Sequence, residues 1–187
     1  MILKRRIVHG VLFFLPTVAV AAGPFHGLAM GGVTGGGDTV FRVAEEDLQA
    51  GGSWYVAMGF TVEPAPDDFF VQTTFGYRYG SAGDDWTMQR GSVSAAPVDL
   101  IGFFRSGPWR LGAGLSYHYK PRFKSCASPA LCRVQYFDDA LGMTFEIDYQ
   151  TPGRPFFGLR YTAIDYLAGQ RTIDASHIGV FFGFRSP

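Results

Sequence analysis

The 187-residue chain fits a single domain, with 47% hydrophobic and 16% aromatic residues, and 16 basic and 16 acidic side chains that cancel. High hydrophobicity without net charge argues against a disordered chain, and the absence of a basic excess argues against a nucleic-acid binder. No apolar run reaches the roughly 18 residues of a membrane-spanning helix. Yet the chain has 25 glycines and only three lysines, which is unusual for a water-facing surface.

The N-terminus has the pattern of a secretory signal peptide. Residues 4–6 are basic, a short apolar stretch follows, and small residues come next. We expect cleavage near Ala21 or Ala22, so that residues 1–22 are removed and residues 23–187 form the mature domain. The mature chain then has 13 basic and 16 acidic residues, a net charge of about −3. The alternative is a buried N-terminal helix.

Export would place the two cysteines in an oxidising compartment. Cys126 and Cys132 are separated by five residues, and in an oxidising compartment such a pair forms a disulfide that closes a small loop. A metal site is disfavoured because no His, Asp or Glu lies between them. The spacing also differs from the two-residue spacing of thioredoxin-like redox pairs. We therefore predict a structural disulfide.

Period-two alternation dominates the chain after residue 25. Large apolar side chains alternate with small or polar ones from Trp109 to Tyr119, and again from Phe69 to Tyr79. Segments of this kind predict eight strands, at residues 25–43, 49–63, 68–80, 91–105, 108–120, 133–150, 155–167 and 173–185. The glycine run near residue 35 can bend or split the first strand, which leaves ten strands as the alternative.

The connections alternate in length and composition. Short turns rich in Pro and Gly lie at residues 63–67, 106–108 and 151–155, and polar loops lie at residues 81–90, 121–132 and 168–172. Short turns at one end and longer loops at the other predict an all-β fold, an antiparallel up-and-down barrel.

The alternation fits either a soluble barrel with an apolar interior or an outer-membrane barrel with a polar lumen. Glycines recur on the polar face, and small residues fit the narrow interior of an eight-stranded barrel. Charges of both signs on this face can pair across a lumen. Aromatic residues bound the apolar face over about 26 Å, close to the roughly 25 Å apolar band of such barrels. These features favour the transmembrane barrel.

The signal peptide, the alternating segments, the aromatic belts and the aromatic–glycine final strand carry a family resemblance. Residues 25–185 resemble the small eight-stranded outer-membrane barrels of Gram-negative bacteria, the OmpA/OmpX-like group. The resemblance implies insertion by the barrel-assembly machinery, which reads a terminal aromatic residue in that family. This chain differs, because Arg185, Ser186 and Pro187 follow Phe184. We expect an outer-membrane monomer in contact with membrane lipids and lipopolysaccharide, with no nucleic-acid partner.

Two sets of side chains are candidate sites. The polar face predicts a lumen network of Glu63, Arg78, Asp99, Arg105, Arg110, His118, Glu146, Asp148, Arg160, His177 and Arg185. Basic residues around the cysteine loop predict contact with lipopolysaccharide phosphates, an ordinary solvated loop being the alternative: Lys120, Arg122, Lys124 and Arg133.

Catalysis is the main competing hypothesis, because some enzymes of this fold modify lipid A. Asp174, Ser176 and His177 are residue types of hydrolases, but parity points Asp174 and Ser176 outward and His177 inward. A nucleophile needs its base within hydrogen-bond reach. We therefore expect a structural or surface-interacting protein without catalysis, metal or cofactor. A lipid-A-modifying enzyme and a narrow pore for small solutes are the alternatives.

Overall fold

A computed structural model describes residues 25–43, 46–65, 68–83, 89–128 and 130–186. The predicted signal peptide lies outside these residues. Within the described ranges, no helix is long and apolar enough to cross a membrane.

The described chain forms β-strands joined by turns and short loops. In chain order they are β1 (Phe25–Gly35), β2 (Thr39–Val43), β3 (Glu46–Gln49), β4 (Ser53–Ala65), β5 (Phe69–Gly83), β6 (Arg90–Ser106), β7 (Trp109–Ser128), β8 (Leu131–Tyr136), β9 (Ala140–Gln150), β10 (Pro155–Ala163), β11 (Asp165–Ala168), β12 (Arg171–Asp174) and β13 (His177–Arg185).

Eight of these strands close into a barrel. Strands β1, β4, β5, β6, β7, β9, β10 and β13 each pair antiparallel with the next in that order. Strand β1 pairs with β13 from Leu28–Arg185 to Gly35–Ile178, which closes the circle. The predicted eight-stranded antiparallel barrel is confirmed.

Apolar side chains face outward and polar side chains face the lumen. In β7 the exposed fractions of Arg110 and His118 are 1%, whereas that of Leu111 is 55%. In β4 Met58 is 68% exposed while Thr61 is fully buried. This distribution is the reverse of that in a water-soluble barrel and matches barrels surrounded by lipid.

The first predicted strand, residues 25–43, is divided. The chain turns at Gly36 and Gly37, whose φ angles of 124° and 78° are unfavourable for residues with a Cβ atom. After this turn β2 folds onto β3 as a hairpin above the barrel. The glycine run therefore splits the strand, but the extra strands belong to a loop and do not enlarge the barrel.

The boundaries of three other predicted strands were also wrong. Segment 133–150 is divided between β8 and β9, segment 155–167 between β10 and β11, and segment 173–185 between β12 and β13. The breaks occur where Phe137, Ile164 and Ala175 turn inward and are buried in one apolar cluster. Burial of these side chains interrupts the strands. Alternation alone did not predict the breaks, because it does not show where the inner face stops contacting a polar lumen and starts contacting an apolar cluster.

An apolar cap therefore lies over the loop end of the lumen. Its larger cluster contains Ala50, Phe137, Ala140, Ile164, Tyr166, Ile173 and Ala175. A second cluster contains Leu48, Ala82 and Val93, with Val40, Phe41 and Phe123 packed against it. The sequence indicated polar loops here and gave no signal that they fold together.

The predicted disulfide between Cys126 and Cys132 is confirmed. Strand β7 continues eight residues beyond its predicted end at residue 120, and β8 pairs back onto it. The disulfide thus joins the two strands near the tip of a long hairpin that projects beyond the barrel.

Candidate functional site

The centre of the lumen holds a compact ionic cluster. Arg160 on β10 donates to Glu146 at 2.6 Å and to Asp99 at 2.8 Å. Asp99 also accepts hydrogen bonds from Thr74 at 2.9 Å and Ser116 at 2.6 Å. All five side chains are buried. Because partners of both signs and several hydroxyl groups converge, direct contacts offset much of the cost of desolvating these charges. The second carboxylate oxygen of Glu146, Oε1, has no hydrogen-bond partner among the described residues.

A second ion pair lies among aromatic rings nearer the turn end. Arg110 on β7 donates to Asp148 on β9, with which it pairs across the strands. The Arg110 guanidinium lies 4.5 Å from the Phe156 ring centroid and 5.5 Å from that of Phe70. Phe70 in turn stacks on Phe103 with centroids 4.8 Å apart. Cation–π contacts of this kind stabilise a desolvated arginine.

The turn end of the lumen is closed by three charges. Arg105 and Arg185 both donate to the same oxygen of Glu63, the Arg105 distance being 2.9 Å. All three side chains are more than two-thirds buried. One carboxylate thus contacts two arginines at this end of the lumen.

At the loop end, Arg78 is bonded by neutral groups. Its guanidinium contacts the His177 ring at 2.9 Å and donates to Gly51 O at 2.7 Å and to the hydroxyl groups of Thr34 and Ser53. A neighbouring internal cavity of about 20 Å³ is also lined by Asp99. This volume suits about one water molecule.

His118 connects the lumen to the cap. Its Nδ1 lies 2.7 Å from the Tyr166 hydroxyl on β11. Burial raises the pKa of Tyr166 to about 12, so this phenol remains protonated at neutral pH and able to donate. The ring of His118 lies 6.2 Å from that of His177. The two histidines therefore sit together, but each is bonded to a structural partner.

The lumen contacts include residues that the sequence analysis did not name as site residues. Tyr55, Thr74, Ser116 and Tyr166 contribute hydroxyl groups to this interior. Strand parity was an available signal, since each has the same parity as a named lumen residue on its segment. Parity does not predict which residues of other strands these hydroxyl groups contact.

The hydrolase-like residues do not form a catalytic arrangement. Ser176 Oγ accepts from the backbone N–H of Ile164 at 3.2 Å, and the Ser176 N–H donates to Asp174 at 2.8 Å. His177 instead contacts Arg78 and Ala175 O inside the lumen. Within the described part of the chain, no group of three His, Cys, Asp or Glu residues is placed to hold a metal ion.

The projecting sheet of β5, β6, β7 and β8 has two different faces. Directly paired residues of antiparallel strands point to the same face. The register aligns Tyr79, Ser94, Arg122 and Tyr136 in one row, and Ser81, Ser92, Lys124 and Val134 in the next. We call these eight residues the outer sheet face. The opposite face carries Phe123, which packs into the cap.

The register divides the predicted basic patch. Arg122 and Lys124 are exposed on the outer sheet face, whereas Arg133 pairs with Ser125 and belongs to the opposite face. Lys120 lies at a bulge with a positive φ of 43°, where two β7 residues oppose one on β6. The patch is therefore an outward pair of cations, with Lys120 below them and Arg133 behind.

The outer sheet face begins at an aromatic belt, to which its residue Tyr79 belongs. The Trp54 ring lies 6.3 Å from Tyr77 and 6.0 Å from Tyr79, and alternation on β5 continues outward from Tyr79 to Ser81. A groove of about 450 Å³ on this side is lined by Tyr79, Ser81, Arg90, Ser92 and Lys124, together with Glu46 and neighbouring residues of β5, β6 and β7.

A second belt surrounds the turn end. The Tyr149 ring lies 5.1 Å from Trp109 and 5.6 Å from Phe157. Two belts flanking an outward apolar band and a polar, filled lumen define the fold of the small outer-membrane β-barrels.

Solved structures of the same fold are similar to this chain at low sequence identity. One is Ail, the attachment invasion locus protein of Yersinia pestis, in complex with the heparin analogue sucrose octasulfate. It has a TM-score of 0.60 and 10% identity, over 86% of this chain and 97% of that chain. Neisserial surface protein A has a TM-score of 0.52 and 11% identity, over 89% of this chain and 99% of that chain. No family model matches the sequence, and no curated protein matches it either.

Proposed function

We propose that this chain is a monomeric outer-membrane protein with a permanently filled lumen and a surface-interacting loop end. The outward apolar band between two aromatic belts supports the membrane location. The proposal includes export through residues 1–22, a mature domain of residues 23–187 and insertion by the barrel-assembly machinery. It also includes a role without catalysis, supported by the separate partners of Ser176 and His177.

The surface contact that we propose is with lipopolysaccharide, through the outer sheet face. Arg122 lies in the same row as Tyr79 of the aromatic belt, and Lys124 lies in the next row outward. Aromatic belts mark the depth of the lipid headgroups. Arginine and lysine bind phosphate oxygens through charge-assisted hydrogen bonds, and the serine hydroxyls beside them suit sugar hydroxyls. Ail, a barrel of the same fold, is solved with a sulfated sugar, which supports polyanion binding as a property that this architecture can carry.

The position of Arg122 and Lys124 on one outward face is the observation that carries this proposal. Its test is the variant R122Q/K124Q, with R133Q as the matched control because Arg133 belongs to the opposite face. We expect the double variant in maltoside micelles to bind purified lipopolysaccharide at least tenfold more weakly, measured by surface plasmon resonance. R133Q should stay within twofold of the parent. Unchanged binding by the double variant would contradict the proposal, and an equal loss in R133Q would contradict the assignment to one face.

A further inference from the structure

The turn end of the barrel contains a second polar recess, at the opposite end from the outer sheet face. A cavity of about 670 Å³ is lined by Arg105, Arg154, Arg185 and the single carboxylate Glu63, together with His26 and Gln150. Its volume lies in the range of small-ligand sites. Among the described lining residues, positive charge exceeds negative charge by two.

Three residues that line this recess each have one buried side-chain atom without a hydrogen-bond partner in the described part of the chain: Arg185 Nε, His26 Nδ1 and Gln150 Oε1. The Gln150 amide donates through Nε2 to Gly153 O and Pro155 O, both at 3.2 Å, which orients its oxygen. Buried polar groups are normally paired, because leaving one unpaired costs free energy. Three such atoms in residues that line one recess point to a ligand that would bind there.

A backbone hydrogen bond joins two of the three arginines of the recess. The Arg185 N–H donates to Arg154 O at 3.0 Å, and Arg154 itself is exposed at the β9–β10 turn. Ser186 anchors the same edge, since its N–H donates to Gly27 O at 2.7 Å and its hydroxyl accepts from Gly27 N–H at 2.8 Å. The backbone of Arg185 on β13 is therefore tied to the β9–β10 turn that carries Arg154.

We infer that this recess binds a phosphate group. Guanidinium groups match phosphate oxygens in geometry and charge, so Arg185 Nε and Arg154 would donate to the phosphate. Gln150 Oε1 would accept from a hydroxyl or ammonium group of the same ligand. Tyr149 of the turn-end belt also lines the recess, which places it at headgroup depth. The phosphate belongs either to a lipid headgroup or to a soluble phosphate compound.

The test follows the Arg185 Nε–H signal by NMR in the full chain, labelled with ¹⁵N-arginine and folded in maltoside micelles. The signal is assigned by its loss in R185K, which preserves the charge beside Glu63. We expect inorganic phosphate to shift it saturably, with at least fivefold weaker binding in R154Q. R171Q is the control, since Arg171 is exposed at the loop end on β12, and its binding should be unchanged. No saturable shift, an equal shift with chloride at matched ionic strength, or unchanged binding in R154Q would overturn the inference.

Nanodiscs distinguish the two sources of phosphate. With a lipid headgroup as ligand, the Arg185 signal lies at its shifted position in phosphatidylglycerol discs and not in discs of an uncharged glycolipid. With a soluble ligand, the signal has the same position in both discs and moves only when phosphate is added. A signal that responds to neither lipid nor added phosphate would overturn the inference. Lipopolysaccharide binding at the other end is measured separately, so the two proposals fail independently.

Discussion

At the scale of single residues, the lumen depends on matched charges. Arg160 binds both Glu146 and Asp99, so removing it leaves two buried carboxylates without their cation. Breaking a buried ion pair from one side is more costly than replacing the whole pair, because the remaining charge stays desolvated.

We predict that Arg160→Met lowers the free energy of unfolding by about 3–5 kcal/mol. Urea titration followed by heat-modifiable gel migration measures the change. Arg171→Met is the control, because Arg171 is exposed and its replacement should change stability by less than about 0.5 kcal/mol. Similar effects of the two changes would show that the central cluster does not determine stability.

Ser176 offers a residue-scale test of the proposal that the protein has a role without catalysis. Because its hydroxyl accepts from the Ile164 N–H rather than contacting His177, we expect Ser176→Ala to leave lipid A composition unchanged. Mass spectrometry of lipid A from cells with the parent, the variant or no protein measures this. A lipid A change that depends on the protein and disappears in the variant would establish the enzyme alternative.

At the scale of elements, turns decide where the strands stop. Gly37 combines a φ of 78° with close packing, since a Cβ atom there would lie 2.7 Å from Asp174 O. Gly107 has a similar φ of 60°, but a Cβ atom would meet nothing within 4 Å. Substitution of each glycine by alanine therefore distinguishes the cost of backbone strain from the cost of steric overlap.

We predict that Gly107→Ala destabilises the protein by about 1–2 kcal/mol, the cost of the left-handed conformation alone. Gly37→Ala should cost more, because the β2–β3 hairpin must also shift away from β12. Urea unfolding monitored by tryptophan fluorescence compares the two variants. Equal destabilisation would mean that the contact with Asp174 relaxes without cost.

Sequence patterns predicted the barrel better than its loop end. Alternation with a period of two predicted which side chains of the barrel strands after β1 point inward, because one face meets lipid and the other meets charges. It missed the breaks at Phe137, Ile164 and Ala175, because inward side chains are polar in the lumen but apolar in the cap above it. Proximity along the chain also grouped Arg133 with Lys124. Proximity does not fix the register of a hairpin, and the register places the two residues on opposite faces.

At the scale of the whole molecule, the lumen is closed from end to end. The Glu63 cluster closes the turn end, the Arg110 and Arg160 clusters fill the centre, and the apolar cap covers the loop end. An eight-stranded barrel is just wide enough for its own side chains. Among the described residues, these clusters lie between the polar recess at the turn end and the polar groove at the loop end.

We predict that the folded protein produces no discrete conductance steps in planar lipid bilayers. The physical reason is that ions would have to displace paired charges from a lumen that side chains already fill. A porin reconstituted in the same bilayers supplies the positive control. Reproducible steps from the purified chain would support the pore alternative.

The pairing of β1 with β13 has a kinetic consequence. Every other neighbouring pair in the barrel can form between strands that are close along the chain, whereas this seam joins Leu28 to Arg185. Its closure requires the two ends of the domain to meet, and before the intervening hairpins form this would cost the entropy of a very long loop. We expect this seam to close last. Substitution of Gly179, where a Cβ atom would lie 2.4 Å from Val33 O, should then delay completion of the barrel after its hairpins have formed.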